Sequence, residues 1–85
     1  MSRGKSSFME KIFLKEIGKR LKSLREEKGL KQREMAEIMG LTLRHYQRFE
    51  YGEVNTPATV LNFFADYFCV TADYLLGREE RQNTT

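Results

Sequence analysis

An all-α domain of five helices is what this 85-residue sequence predicts. Apolar residues recur at spacings of three and four along most of the chain, glycines and a Thr-Pro step punctuate those runs, and no stretch alternates as a strand would. The length gives room for one hydrophobic core, with an expected stability on the order of 4 to 13 kcal/mol at ~0.05 to 0.15 kcal/mol per residue.

The polar stretch 1–7 is expected to form a flexible arm. From Phe8 an amphipathic helix develops, with Phe13, Ile17, Leu21 and Leu24 as its inner stripe and Lys15, Lys19, Lys22 and Glu26 elsewhere on the wheel. Gly29 marks its end, Lys28 sits favourably near the negative end of the helix dipole, and Leu30 returns to the core. Residues 32–51, QREMAEIMGLTLRHYQRFEY, then hold two short helical patterns around Gly40. Met35, Ala36 and Met39 share one stripe, and Ala36 is the small residue that a steep helix crossing requires. Gly40 suits the left-handed turn, Thr42 can cap the next helix with its hydroxyl, and Tyr46 and Phe49 give that helix its buried edge. This is the spacing of a helix-turn-helix. Thr56 as cap with Pro57 in the first turn starts a fourth helix that runs to about Phe68, with Leu61, Phe64, Ala65 and Phe68 inward. Val70 enters the core, Thr71 caps a last short helix from Ala72 to about Leu76, and Gly77 ends it. Domain residues thus span 8–77, and 78–85 form a charged tail expected to fray.

Charge is unevenly spread. Residues 1–33 carry eleven Lys or Arg against four Glu, whereas residues 34–85 carry four Arg against eight Asp or Glu. A basic arm and first helix suit a polyanion, although a solvated lysine face gives the same pattern. One histidine, His45, and one cysteine, Cys69, cannot assemble a zinc site of the usual kind, and no glycine-rich phosphate loop is present. No metal, cofactor or enzymatic activity is therefore expected. The lone cysteine and the lack of a signal peptide or an apolar run of membrane length point to the cytoplasm.

From about Ile17 to Gly77, over IGKRLKSLREEKGLKQREMAEIMGL, QRFEYG and FADYFCVTADYLLG, the chain resembles the phage-repressor or Cro type of helix-turn-helix domain, the Xre family with its lambda-repressor-like five-helix fold. That resemblance implies double-stranded DNA as the partner, with residues 42–50 as the recognition helix in the major groove. At ~100° per residue from Leu43, buried Tyr46 and Phe49 fall near ~300° and ~240°, and Leu43, Gln47, Arg44 and Arg48 occupy the arc from 0° to ~140°. Arg44 is the expected reader of a guanine edge; Arg48 reads a second base or holds a phosphate; Gln47 suits adenine and Leu43 a thymine methyl. By the same resemblance Gln32 grips the DNA backbone from the start of the second helix, with Lys31, Thr42, Tyr51 and Asn55 as further backbone contacts. Arg25 and Glu50 take the places of a structural ion pair between the first helix and the end of the recognition helix. Departures from the pattern are Lys31 where Ser or Thr caps the second helix, which leaves Glu34 as half a capping box, and Tyr46 in place of Ile or Val, whose hydroxyl needs a partner.

The function implied is a transcriptional regulator, a repressor binding a palindromic operator as a homodimer, with Tyr74 and Leu75 as candidates for the dimer surface. The competing expectation is a protein-interaction module, such as an antitoxin, using the same scaffold. It is motivated by the aromatic surplus at Phe63, Phe64, Tyr67 and Phe68, and an exposed cluster of Phe63, Tyr67 and Tyr74 would favour it.

Overall fold

The computed structural model describes residues 3–80, with side chains from Phe8 onward. The described residues form five helices and no strand: α1 (Arg3–Glu27), α2 (Gln32–Met39), α3 (Leu43–Glu50), α4 (Ala58–Phe68) and α5 (Ala72–Leu75). α2 and α3 form the helix-turn-helix. Of the arm expected over 1–7, residues 3–7 belong to α1, while residues 1–2, like residues 81–85 of the expected tail, lie outside the described residues.

Local chemistry accounts for most boundaries. Gly40 ends α2 in the left-handed region at φ 71° and returns its N–H to Ala36 and Glu37 carbonyls. Thr42 Oγ1 then accepts the His45 N–H at 3.1 Å, and Thr71 Oγ1 accepts the Tyr74 N–H at 2.9 Å. Lysine has no acceptor, so Lys31 caps nothing with its side chain, while its own N–H donates to Glu34 Oε1 at 2.8 Å. One boundary differs from expectation: Pro57, not Thr56, is the cap of α4, extended at φ −61°, ψ 157°, and its carbonyl accepts the Leu61 N–H at 2.8 Å. Proline has no N–H to lose in either place, and it holds the residue before it extended, so the helix starts one residue later.

The core gathers Ile17, Leu21 and Leu24 from α1, Met35 and Ala36 from α2, Tyr46 and Phe49 from α3, Phe64, Ala65 and Phe68 from α4, and Leu75 from α5. Phe64 is fully buried at its centre, edge-on to Tyr46 at 6.4 Å and to Phe49 at 6.3 Å between ring centroids. Two expectations fail here. Phe13 is not on the inner stripe but 45% exposed, because α1 runs on past the edge of the domain. Leu75 is fully buried, so it is unavailable to a dimer surface.

The crossing of α1 and α3 rests on glycine. A Cβ at Gly18 would stand 2.1 Å from the Glu50 carbonyl oxygen, and one at Gly52, φ 70°, would stand 2.6 Å from the Lys15 nitrogen. No side chain fits between these backbones. Gly18→Ala is therefore expected to cost about 2 to 3 kcal/mol or more in urea unfolding, as overpacking forces the helices apart, while exposed Ser23→Ala stays within about 0.5 kcal/mol. Conversely, Cys69 ends α4 at φ 56°, a conformation that costs an L-residue about 1 to 2 kcal/mol. Cys69→Gly should stabilise by about 1 kcal/mol, read as a raised urea midpoint at constant m-value.

Candidate nucleic-acid interface

A buried carboxylate organises the surface in question. Glu50 closes α3, and each of its oxygens accepts twice. Oε2 takes Arg25 Nε–H at 2.6 Å and the Tyr46 hydroxyl; Oε1 takes Gln32 Nε2 at 2.8 Å and Arg25 Nη2 at 3.1 Å. Donors thus reach it from α1, from α2 and from one turn earlier on α3. Arg25 also donates through Nη1 to the Leu30 carbonyl at 2.7 Å, which ties the α1–α2 connection into the same knot. Tyr46, whose hydroxyl needed a partner, has one here.

Gln32 carries the network outward. Its amide donates to Glu50 and to Tyr51 Oη at 3.3 Å, and its Oε1 accepts Gln47 Nε2 at 3.0 Å. The start of α2 is thereby linked to the middle of α3 by paired amides. Gln32 and Gln47, each expected on DNA separately, are bonded to one another, a contact whose fifteen positions of separation leave no periodic signal in the sequence. In this arrangement both Gln32 amide hydrogens are engaged within the protein, whereas Gln47 keeps one N–H and its carbonyl oxygen uncommitted.

Arg44 and Arg48 are exposed on α3, and neither side chain has a hydrogen bond or ion pair among the described residues. Leu43 is half-buried beside them, and Lys31, Thr42 and Tyr51 are exposed at the ends of α2 and α3. Asn55 is exposed in the α3–α4 connection, where it lines a groove shared with Glu10 and Phe13 of α1. His45 stacks on Phe49 at 5.3 Å between centroids, on the flank of the helix. Phe63, Tyr67 and Tyr74 are half-buried rather than an exposed cluster, with Phe63 stacked on Tyr67 at 5.8 Å, so packing absorbs the aromatic surplus.

Across residues 18–81 the chain matches the family model described as a helix-turn-helix domain. The chain belongs to that family. Among curated relatives, this helix-turn-helix chain is 34% identical over 60 residues to the SPbeta prophage-derived uncharacterized HTH-type transcriptional regulator YonR of Bacillus subtilis. It is also 34% identical over 65 residues to the HTH-type transcriptional regulator AnsR of the same organism. These matches cover 71% and 76% of this chain and 56% of each relative, so the chain spans about half the length of the curated relatives it matches. No solved structure matches it significantly. The family match, the resemblance in the motifs and the five-helix architecture place it with the Xre and lambda-repressor-like domains. Among the described residues no helix is long and apolar enough to cross a membrane.

Burial alone pushes the Glu50 carboxyl upward, but hydrogen bonds from Arg25, then Tyr46 and Gln32, outweigh it and hold the group below its ordinary value of 4.5. The hydrogen bond to Glu50 raises Arg25, and burial raises the Tyr46 phenol. An acid whose pKa is depressed on folding contributes stability that is complete above its unfolded pKa and disappears as pH falls through the folded one. The wild-type melting temperature should therefore fall as pH drops below about 4.5. Glu50→Gln should lose about 3 to 5 kcal/mol at neutral pH, by stranding Arg25, and should show a flatter acid limb in thermal melts across the same range.

Proposed function

We propose that this chain is a sequence-specific DNA-binding transcriptional regulator, a repressor that holds a palindromic operator as a homodimer with α3 in the major groove. The observation that carries the reading is the pair Arg44 and Arg48. They are exposed on one face of α3 and uncommitted, on a helix whose opposite face is fixed by Phe49, Tyr46 and Glu50. A guanidinium presents two parallel N–H groups that match guanine O6 and N7, and such a match needs a support that does not swing. Gln47, braced by Gln32, offers its free amide N–H and carbonyl to adenine, and Leu43 offers a methyl-sized apolar contact. Lys31, Thr42, Tyr51, Asn55 and the first N–H groups of α2 supply phosphate contacts, with Gln32 joining them if it exchanges its bond to Tyr51 for a phosphate oxygen.

The names of the two relatives, both HTH-type transcriptional regulators, support the same reading. One recognition helix spans only a few base pairs, and two copies about 34 Å apart along the duplex multiply affinity and specificity, which favours a dimer. Occupancy of a promoter suffices to block transcription, and the chain acts where the DNA is, in the cytoplasm, without catalysis.

The test is selection from a random duplex pool by the wild type and by Arg44→Ala. The wild type should enrich a two-fold symmetric motif; Arg44→Ala should bind it about 1 to 3 kcal/mol more weakly and lose base preference at one position per half-site. Gln32→Ala should weaken binding on all sequences alike. Unchanged preference in the Arg44 variant, or an affinity insensitive to added salt, contradicts the proposal.

A further inference from the structure

A cavity of about 340 Å³ lies on the flank of α3, between the α2–α3 turn and α4. Its walls are apolar: Met39 and Leu41 flank the turn, Phe49 comes from α3, and Val60 and Phe63 come from α4. All of these but Phe49 are only half-buried, so the domain leaves part of this surface wet. Exposed His45, Pro57 and Thr59 form the rim. The His45 ring lies 23° from parallel with Phe49, and neither it nor the Thr59 hydroxyl has a hydrogen bond among the described residues. At ~100° per residue Arg48 stands ~60° round α3 from His45, toward the face proposed to meet DNA, and it too is uncommitted. No acidic side chain lines the cavity among the described residues.

We propose that this cavity takes a small aromatic monocarboxylate and that its occupancy weakens the hold on DNA; the second half rests on the DNA-binding reading above, the first does not. Each part of the ligand answers a part of the site. A cavity of ~150 Å³ accommodates benzene, so this one suits two fused rings or one ring on a short chain. A flat ring meets three others here, His45, Phe49 and Phe63, and the Met39 thioether, which favours an aromatic body over a branched chain. At the rim His45 brings a ring N–H in either tautomer and Thr59 brings a hydroxyl. A carboxylate only accepts, so it engages both donors at once. Arg48 adds a positive charge beside them, which opposes a cationic ligand and favours an anionic one. A few polar groups converging on an apolar hollow are the arrangement of small-molecule sites. Coupling to DNA follows from charge: a carboxylate at the rim competes for the Arg48 guanidinium and sets a negative charge beside the phosphates that a duplex brings to α3. The bonds to Glu50 hold α3 from another side, so this coupling needs no displacement of the helix.

The test titrates naphthalene-1-acetate into the full chain without DNA and follows the backbone amides by NMR. Saturable shifts should concentrate in residues 39–49 and 57–63. For a ligand of about 14 heavy atoms the dissociation constant should be on the order of 0.1 to 1 mM. The neutral 2-(1-naphthyl)ethanol should bind about threefold to tenfold more weakly, because it brings no charge to Arg48. Thr59→Val keeps the shape and removes the hydroxyl, and should weaken naphthalene-1-acetate by about threefold to tenfold; His45→Ala should do so at least as much. Both are surface changes, and an unchanged circular dichroism spectrum verifies the fold. Absence of saturable binding, shifts scattered over the chain, equal binding of acid and alcohol, or full affinity in either variant overturns the site. On the duplex enriched by selection, saturating naphthalene-1-acetate should lower affinity by about threefold to tenfold, and the duplex should lower the ligand's affinity by the same factor. Unchanged or raised affinity for the duplex with the ligand bound overturns the coupling. A chain that selects no duplex overturns the DNA reading and the coupling together, and the titration without DNA still decides the site.

Discussion

Glu50 is held at both its side chain and its backbone, and the placement of the exposed face of α3 depends on that double hold. Its carboxylate collects donors from α1, α2 and α3 itself, while its carbonyl oxygen lies where only the bare Cα of Gly18 leaves room. The side-chain contacts set the rotation of α3 about its axis, and the glycine contact sets its distance from α1. At the other end, the Thr42 cap and the Leu41 N–H bonded to the Ala36 carbonyl at 2.9 Å fix the entry of the helix from the turn. A helix of only two turns has little stability of its own, so its direction must come from such contacts.

The energetic character of this knot differs from that of the aromatic core beside it. Burial around Phe64 supplies the driving force, because apolar area removed from water is what stabilises a domain this small. The Arg25–Glu50 pair contributes little net, since both ions are desolvated, yet either one left alone is strongly destabilising. Its value lies in rejecting alternative placements of α3, because any slip leaves a charge unpaired. The paired amides of Gln32 and Gln47 extend that demand to the surface, where a polar network rather than the core holds α2 against α3. Arg44 and Arg48 stand on the side that this scaffolding leaves open, and rigidity of the support is what a bidentate reading of a base requires.

The parts of the fold legible in the sequence were those with local causes. Gly40, Thr42 and Thr71 act within one helical turn, and their roles follow from side-chain chemistry at short range. Arg25 and Glu50 were legible only through family resemblance, since no periodicity links positions so far apart. What escaped depends on tertiary context. Phe13 continues a regular stripe and still lies outside the core, because periodicity says where a side chain points and not whether anything is there to meet it. Leu75 and Tyr74 looked alike as candidates for an interface, and only the packing of α5 against the rest separates the buried leucine from its half-buried neighbour. Gly18 did carry a signal: a glycine inside a helix costs about 1 kcal/mol and implies a close approach that repays it. Pro57 was expected in the first turn after a Thr56 cap, and its own extended backbone makes it the cap instead.

Native-state hydrogen exchange of the backbone amides, compared between the wild type and Glu50→Gln, bears most directly on this account. If the Glu50 knot is what holds α3, amides of Leu43–Glu50 should lose protection well beyond the loss in α4 of the same variant, so that α3 opens on its own. Equal loss of protection in α3 and α4 would mean that the core alone positions the helix, and would contradict the central role given to Glu50.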